Sequence, residues 1–314
     1  MKVAIIEPLS ISEKEVNELK FKFLPADVEL VYYNSMPKDD NEKILRANGA
    51  DVVIIANMAF GRNVLQNCPD LKLLSVAFTG VDHVDMDFCK AHNIMVCNCS
   101  GYANEAVSEL VFGLIIRLYR DLFNADKAVR EGQTKSILAP QFELAGKNFG
   151  IVGAGAIGLK VASVAKAFGC NVYAYSRTPK NIEGIKFVSL DELLSVCDII
   201  SVHVPFNKRT KDLINAQNII KMKANAILIN TARGPVVNAD ALAKALREHT
   251  IAGAGIDVFD TEPPIAKTNP LLNAPNIVLT PHIGFATTEA MIKRANIAFA
   301  NIKAWLDHKP QNIM

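Results

Sequence analysis

The chain has 314 residues, more than one compact core usually holds, so we expect two domains. Hydrophobic residues make up 50% of the chain and charged residues 21%, a globular composition that argues against disorder. The formal net charge is +2 and the sequence has no dense basic run, which argues against a nucleic-acid partner.

Signals for secretion, membrane insertion and metal binding are weak. The first apolar run is too short for a signal peptide, and the most apolar helix candidate, residues 106–118, is too short and too polar to span a bilayer. The six cysteines show no CxxC spacing, so we interpret them as reduced core thiols of a cytoplasmic protein. Cys97 and Cys99 flank one residue, but no second ligand pair lies nearby, and we expect no metal site.

Short apolar runs and helical patterns alternate in the first third of the chain. Helical periodicity occurs at residues 12–22 and 41–48, between runs of β-branched and aliphatic residues that predict strands. The predicted strands are at residues 3–6, 29–32, 52–56, 73–78 and 94–97. This alternation predicts a parallel sheet covered by helices on both faces.

One long helix is predicted at residues 104–130. Ser100 and Gly101 precede it, and Gly132 and Pro140 mark the loop that follows. The helix is apolar first and charged later, so we expect it to link two domains or to lie at a dimer interface.

A second alternating series follows and ends in a predicted helix at residues 288–306. Its predicted strands are at residues 148–152, 171–175, 199–204, 226–230, 253–257 and 276–280. Strands separated by helices in this way predict a complete doubly wound dinucleotide-binding fold.

A GxGxxG pattern occupies residues 153–158, directly after a predicted strand and at the start of a helical pattern. The first glycine permits a tight turn, the second lets the backbone approach a pyrophosphate, and the third lets the helix pack closely on the strand. The helix N-terminus offers N–H groups and partial positive charge to the phosphates. We therefore predict dinucleotide binding rather than an unliganded turn. The residues concerned are Gly153, Gly155, Ala156, Ile157 and Gly158.

The end of the next predicted strand bears on the identity of the dinucleotide. NAD-binding folds usually place an acidic residue there, which accepts hydrogen bonds from the adenosine ribose. This chain has Ser176, Arg177 and Thr178 instead. A hydroxyl and a guanidinium bind a 2′-phosphate, which a carboxylate would repel. We therefore favour NADP(H); the alternative is that these residues form a solvated turn and NAD(H) is the cofactor.

Three residues suited to catalysis follow successive strands of the second series. Arg233 follows the strand at 226–230, Glu262 the strand at 253–257, and His282 the strand at 276–280. Ligands of doubly wound sheets bind beyond the carboxyl ends of the strands. Taken singly, these residues also suit a surface ion pair, a loop carboxylate and a strand cap. Taken together, they predict a site that binds and reacts with a small carboxylate.

The chain strongly resembles the D-isomer-specific 2-hydroxyacid dehydrogenase family over nearly its whole length. The resemblance rests on FTGVDH at 78–83, the glycine loop, NTARG at 230–234, DVF at 257–259 with Glu262 and Pro263, and PHIG at 281–284. It implies an α/β fold of two doubly wound parallel-sheet domains. A Rossmann cofactor domain, residues 100–284, would be inserted into a flavodoxin-like substrate domain, residues 1–99 plus 285–314. It also implies a homodimer formed through the cofactor domain, for which the helix at 104–130 is the candidate interface.

The resemblance assigns a role to each of the three residues. Arg233 would bind the substrate carboxylate and orient the carbonyl. His282 would be the general acid in ketone reduction and the base in alcohol oxidation. Glu262 would hydrogen-bond the other ring nitrogen of His282, and a carboxylate in that position favours the imidazolium form that donates a proton.

Four further positions match contacts of the family. The backbone N–H groups of Thr79 and Gly80 would bind the substrate carboxylate. Thr231 and Asp257 would contact the cofactor, with Asp257 near the nicotinamide carboxamide.

The residues around His282 narrow the substrate. HIG at 282–284 resembles the glyoxylate and hydroxypyruvate reductases, and Glu262 stands where formate dehydrogenases of the family carry Gln. Phe285 also suits a larger apolar keto acid. We predict reduction of glyoxylate, hydroxypyruvate or a related 2-keto acid. The alternatives are an NAD-dependent D-2-hydroxyacid or phosphoglycerate dehydrogenase and, in another class, a nucleotide-sensing corepressor-like protein.

Overall fold

A computed structural model describes residues 1–133, 141–262 and 264–314 of the chain. Pro140 and Pro263, which the sequence patterns include, lie outside the described residues. The chain forms two compact units: unit 1 is Met1–Ala103 with Ala286–Met314, and unit 2 is Asn104–Phe285. Unit 2 is therefore an insertion into unit 1. In the described residues, every helix is too short or too polar to cross a membrane.

Strands and helices alternate through both units. The strands are β1 Lys2–Ile5, β2 Glu29–Tyr32, β3 Val52–Ile55, β4 Leu73–Val76, β5 Met95–Cys97, β6 Asn148–Val152, β7 Asn171–Tyr175, β8 Ile185–Phe187, β9 Ile199–Val202, β10 Ile227–Asn230, β11 Gly253–Ile256 and β12 Ile277–Leu279. The helices are α1 Glu13–Phe23, α2 Asp40–Ala47, α3 Arg62–Leu65, α4 Met86–Ala91, α5 Asn104–Tyr119, α6 Leu122–Arg130, α7 Ala156–Ala167, α8 Leu190–Val196, α9 Ala216–Ile219, α10 Ala239–Arg247 and α11 Thr288–Leu306.

Unit 1 contains a parallel sheet in the order β2-β1-β3-β4-β5. This is the flavodoxin-like order that the family resemblance implied. The four residues of β3 are all buried, as expected of a central strand covered by helices on both faces. Because all five strands are parallel, their carboxyl ends lie at one edge of the sheet. Thr79 and Gly80 follow β4 at that edge.

Unit 2 contains a parallel sheet in the order β12-β11-β10-β9-β6-β7-β8. The six strands β8-β7-β6-β9-β10-β11, in that order across the sheet, reproduce the Rossmann order 3-2-1-4-5-6, and β12 extends the sheet beyond β11. The predicted doubly wound fold is confirmed, but the prediction of six strands is wrong because it omitted β8. This strand is short, lies at the sheet edge and is only half-buried, so its sequence carries a weak hydrophobic signal.

Alternate residues of the unit 2 strands enter two hydrophobic clusters. Phe149 and Ile151 of β6 pack with side chains of α5 and α7, whereas Val152 packs with side chains of α8, α9 and α10. Because successive strand residues point to opposite faces, these clusters cover the two faces of the sheet. Helix α5 is thus a core element of unit 2.

The single long helix predicted at 104–130 is in fact two helices. Helix α5 ends at Tyr119 and α6 begins at Leu122. Between them, Asp121 has a φ of 44°, in the left-handed region, which interrupts the helical hydrogen-bond pattern. The Asp121 carboxylate accepts hydrogen bonds from the Asn124 amide at 2.9 Å, a local interaction that helps an aspartate to adopt this conformation.

Candidate active site

Three neighbouring strand ends form the backbone of the candidate site. Strands β10, β11 and β12 are adjacent and parallel, so their carboxyl ends lie side by side. Beyond the strands, the backbone N–H of Asp257 donates to the Asn230 carbonyl at 3.0 Å, and the N–H of His282 donates to the Asp257 carbonyl at 2.8 Å. These two bonds connect the segments that carry Arg233, Glu262 and His282.

The side chains of Glu262 and His282 are in direct contact. Glu262 Oε2 lies 2.5 Å from His282 Nδ1, and Glu262 Oε1 accepts a hydrogen bond from the backbone N–H of Phe259. The two side chains are 23% and 21% exposed, so solvent screens their interaction only in part. The carboxylate therefore fixes the orientation of the imidazole.

A buried carboxylate shapes the loop that carries His282. Asp257 Oδ1 accepts hydrogen bonds from the Thr280 hydroxyl at 2.6 Å and the Ile283 N–H at 2.9 Å, and Oδ2 accepts one from the Gly284 N–H at 2.9 Å. Burial raises the pKa of Asp257, while these three hydrogen bonds oppose the rise. A carboxylate has about four acceptor positions, so Asp257 can accept one further donor.

Arg233 is held against the segment that positions Glu262. An ideal Cβ built on Gly234 would lie 2.0 Å from the carbonyl carbon of Phe259, so residues 233–234 pack directly on the backbone there. The N–H of the same Phe259 bonds Glu262, which links the two predicted catalytic residues through one peptide segment. Arg233 Nη1 donates to the Ala232 carbonyl at 2.8 Å.

Asn230 is a supporting residue that the sequence reasoning missed. Its buried side-chain amide donates to the Arg233 carbonyl at 3.0 Å, and its side-chain oxygen accepts from the Ala232 N–H at 3.1 Å. The signal was available, because an asparagine at the end of an apolar strand commonly bonds the backbone two or three residues later. This side chain fixes the turn from β10 to Arg233.

The three glycines of the GxGxxG loop meet three different environments. Gly153 has a φ of 108°, and a Cβ there would lie 2.7 Å from the His203 carbonyl carbon. A Cβ on Gly158 would lie 2.0 Å from the Gly153 oxygen, whereas a Cβ on Gly155 would meet no atom within 4 Å. Gly153 and Gly158 are therefore required by the fold itself. The open space at Gly155 fits a ligand that approaches the backbone closely.

The surroundings of this loop also fit a dinucleotide. Helix α7 begins at Ala156 with no side-chain cap, so the N–H groups of its first turn, including that of Ile157, suit an anion. Thr231, at the end of β10, has a buried Oγ1 without a hydrogen-bond partner in the described residues. A buried hydroxyl in this state is costly and suits a missing polar ligand.

The remaining predicted site residues lie at two other places. At the end of β7, the Ser176 hydroxyl donates to the Thr178 carbonyl at 2.7 Å, and Arg177 and Thr178 are exposed. In unit 1, the Asn98 amide donates to the Thr79 carbonyl at 2.7 Å, and Thr79 and Gly80 are half-buried.

Other reactive side chains are in environments that keep them neutral. Burial lowers the pKa of His203 to about 3, and its Nε2 lies 2.8 Å from the Ser201 hydroxyl. Burial raises the pKa of the Cys97 thiol to about 11 and of the Cys99 thiol to about 12. Across residues 1–133, 141–262 and 264–314, no group of three or more His, Cys, Asp or Glu side chains is arranged to hold a metal ion.

Comparison with known proteins agrees with this architecture. Residues 112–284 match the model of the D-isomer specific 2-hydroxyacid dehydrogenase NAD binding domain. The chain is 40% identical over 281 residues to a glycerate dehydrogenase of Methylorubrum extorquens, with 87% of this chain and 88% of the relative covered. It is 33% identical over 324 residues to a hydroxypyruvate reductase of Blautia hydrogenotrophica, with 100% and 99% covered.

Solved structures of related enzymes share this fold over nearly the whole chain. An acyclic imino acid reductase in complex with NADPH and D-Arg superimposes with a TM-score of 0.90 at 30% identity, and both chains are covered completely. A D-lactate dehydrogenase of Aquifex aeolicus in complex with NAD and lactic acid has a TM-score of 0.82 at 29% identity, with 98% of this chain and 96% of that chain covered. The chain therefore belongs to the D-isomer-specific 2-hydroxyacid dehydrogenases, a family of NAD(P)-dependent oxidoreductases, as the sequence motifs predicted.

Proposed function

We propose that this protein reduces a small 2-keto acid, with glyoxylate and hydroxypyruvate as the first substrates to test, and that NADPH is its preferred reductant. The observation that carries the proposal is the Glu262–His282 pair, held 2.5 Å apart beyond adjacent strands and linked to the Arg233 segment. The substrates are those in the names of relatives, including the hydroxypyruvate reductase and a glyoxylate reductase of Thermofilum pendens that is 41% identical over 252 residues.

Arg233, His282 and Glu262 have different proposed roles in the reaction. Arg233 binds the carboxylate through its fork of N–H donors, which fixes the neighbouring carbonyl. His282 donates a proton to the carbonyl oxygen, and Nε2 is the proposed atom because Nδ1 is engaged by Glu262. Glu262 holds the imidazole ring in place through Nδ1 during the transfer. When bound, the nicotinamide supplies the hydride that the carbonyl carbon accepts.

The two units have different proposed tasks. Unit 2 is the cofactor domain, in which the glycine loop binds the pyrophosphate and Thr231 and Asp257 contact the nicotinamide half. Unit 1 is the substrate domain, in which the backbone N–H groups of Thr79 and Gly80 bind the carboxylate. The proposed domain bounds remain 1–99 plus 285–314 and 100–284, and the compact units fall within a few residues of them.

A second class of substrate is favoured by one aromatic contact. The rings of Phe285 and His282 meet edge to face, with their centroids 5.3 Å apart. An apolar wall at this place suits a keto acid with an apolar side chain, so such acids belong in any substrate panel.

The proton-transfer proposal is tested with paired variants. We expect the wild type to reduce glyoxylate or hydroxypyruvate and His282→Ala to lose about 10²- to 10⁴-fold in kcat, the usual contribution of a general acid. Glu262→Gln retains an acceptor for the Phe259 N–H but loses the carboxylate that holds Nδ1 of His282. Its kcat should therefore fall while the KM for the keto acid changes less, measured by steady-state kinetics. Full activity of His282→Ala would refute the assignment.

The different environments of two glycines give a second test. Gly155→Ala places its methyl in open space, so we expect unchanged thermal unfolding but nucleotide binding weakened by about tenfold or more through obstruction of the pyrophosphate. Gly158→Ala places its methyl against the Gly153 oxygen and should lower the melting temperature. Differential scanning fluorimetry and calorimetric titration measure the two effects. Unweakened nucleotide binding by Gly155→Ala would place the pyrophosphate elsewhere.

The NADPH preference rests on the segment after β7. The Ser176 and Arg177 side chains offer a hydroxyl and a guanidinium, and one structural neighbour was solved with NADPH. We expect Ser176→Asp to lower kcat/KM for NADPH by at least about tenfold, because its carboxylate repels the 2′-phosphate, and to raise the value for NADH. Steady-state rates with both reductants measure this. A wild type that prefers NADH would overturn the proposal.

We also propose a homodimer formed through unit 2. The apolar residues of α5 are largely used in the core of unit 2, whereas α6 has no buried residue. Leu122, Phe123 and Val129 of α6 are 48%, 62% and 72% exposed. A second copy of the chain that covers α6 would remove these side chains from water.

The dimer proposal predicts that Val129→Glu shifts the protein toward monomer, because a charge would be buried in the interface. Sedimentation velocity at micromolar concentration measures the change. Phe21→Glu is a matched control, since Phe21 is 87% exposed on a helix of unit 1 and its variant should keep the wild-type oligomeric state. A monomeric wild type would sink the proposal.

A further inference from the structure

Lys180 joins the loop after β7 to the glycine-rich loop. Its ammonium donates a hydrogen bond to the Ala154 carbonyl, between Gly153 and Gly155, at 3.0 Å. In dinucleotide-binding folds the adenosine ribose is held between these same two segments, the Gly-rich turn and the end of the second strand. The ammonium therefore connects the two segments that would hold the ribose.

The loop between β7 and β8, residues 176–184, carries two cations, Arg177 and Lys180, and one carboxylate, Glu183. Both cations lie before Glu183 in this loop, in the part that follows β7 directly. In the described part of the chain, no carboxylate lies within ion-pair distance of either cation. Several other lysines of unit 2 do have such partners, namely Lys186 with Glu192, Lys221 with Asp191 and Lys223 with Asp198. Two cations in one loop, neither of them ion-paired, favour the binding of an anion there.

We propose that Lys180 is a second cationic ligand of the 2′-phosphate of NADPH and sets cofactor preference together with Arg177. An ammonium has three N–H donors, and the Ala154 carbonyl uses one of them. The remaining two donors can form charge-assisted hydrogen bonds with a phosphate monoester, which carries nearly two negative charges at neutral pH. The inference rests on the proposed use of NADPH, and it adds a residue that lies outside the Ser176–Thr178 segment.

A pair of ligands that differ only in the 2′-phosphate isolates this contact. Adenosine 2′,5′-bisphosphate and adenosine 5′-monophosphate are titrated calorimetrically into the wild type, Lys180→Met and Lys180→Arg. We expect Lys180→Met to weaken the bisphosphate by about tenfold and the monophosphate by less than about twofold, and Lys180→Arg to retain most of the affinity. The NADPH-to-NADH ratio of kcat/KM should fall in parallel.

Lys166→Met is the matched control. The Lys166 ammonium also donates to a backbone carbonyl of unit 2, that of Glu183 at 2.9 Å, but Lys166 lies in the last turn of α7, away from the glycine loop. This variant should bind both ligands as the wild type does.

The outcomes separate the two proposals. Equal binding of the two ligands by the wild type would overturn the use of NADPH. A wild type that prefers the bisphosphate, with Lys180→Met unchanged, would overturn the role of Lys180 alone. Equal weakening of both ligands by Lys180→Met would show that the lysine only supports the glycine loop.

Discussion

The candidate site depends on the buried carboxylate of Asp257. Its three hydrogen bonds fix Thr280, Ile283 and Gly284, which bracket His282, and its own backbone joins the ends of β10 and β12. Removing an ionised carboxylate from water is costly unless hydrogen bonds compensate, and the raised pKa of Asp257 shows that burial outweighs them. A carboxyl group suits this position because no other side chain of similar size accepts so many donors.

The close packing of Gly234 on the Phe259 backbone connects the segments that carry the other two predicted catalytic residues, Arg233 and Glu262. Residues 233–234 lie so close to the Phe259 backbone that no side chain fits between them, and the Phe259 N–H holds Glu262. The Arg233 and Glu262 segments therefore cannot move independently over short distances. Catalysis that depends on groups held within about half an ångström of a productive geometry benefits from such backbone constraints.

Much of this could be predicted from the sequence, and the failures have physical reasons. Strands such as β3 are buried on both faces, so they appear as continuous apolar runs. Strand β8 is a half-buried edge strand, and the break at Asp121 depends on one left-handed residue that helical periodicity does not reveal. The pattern placed Glu262 and His282 beyond neighbouring strands, but their contact spans 20 residues of loop and strand. Lys180 was missed because its partner Ala154 is 26 residues earlier in the chain.

His282 shows how the site is ordered before any substrate arrives. Its φ of 54° lies in the left-handed region, which costs a residue with a Cβ about 1 to 2 kcal/mol. Its N–H bond to the Asp257 carbonyl and the Glu262 contact at Nδ1 oppose that cost, since a neutral hydrogen bond contributes about 0.5 to 1.5 kcal/mol and one to a charged group about 1.5 to 3 kcal/mol. Both interactions are made within unit 2 and involve no substrate atom. The proposed proton donor is therefore held in place before a substrate binds, and under the proposed function discrimination among keto acids comes from groups that meet the substrate side chain, of which Phe285 lies beside the imidazole.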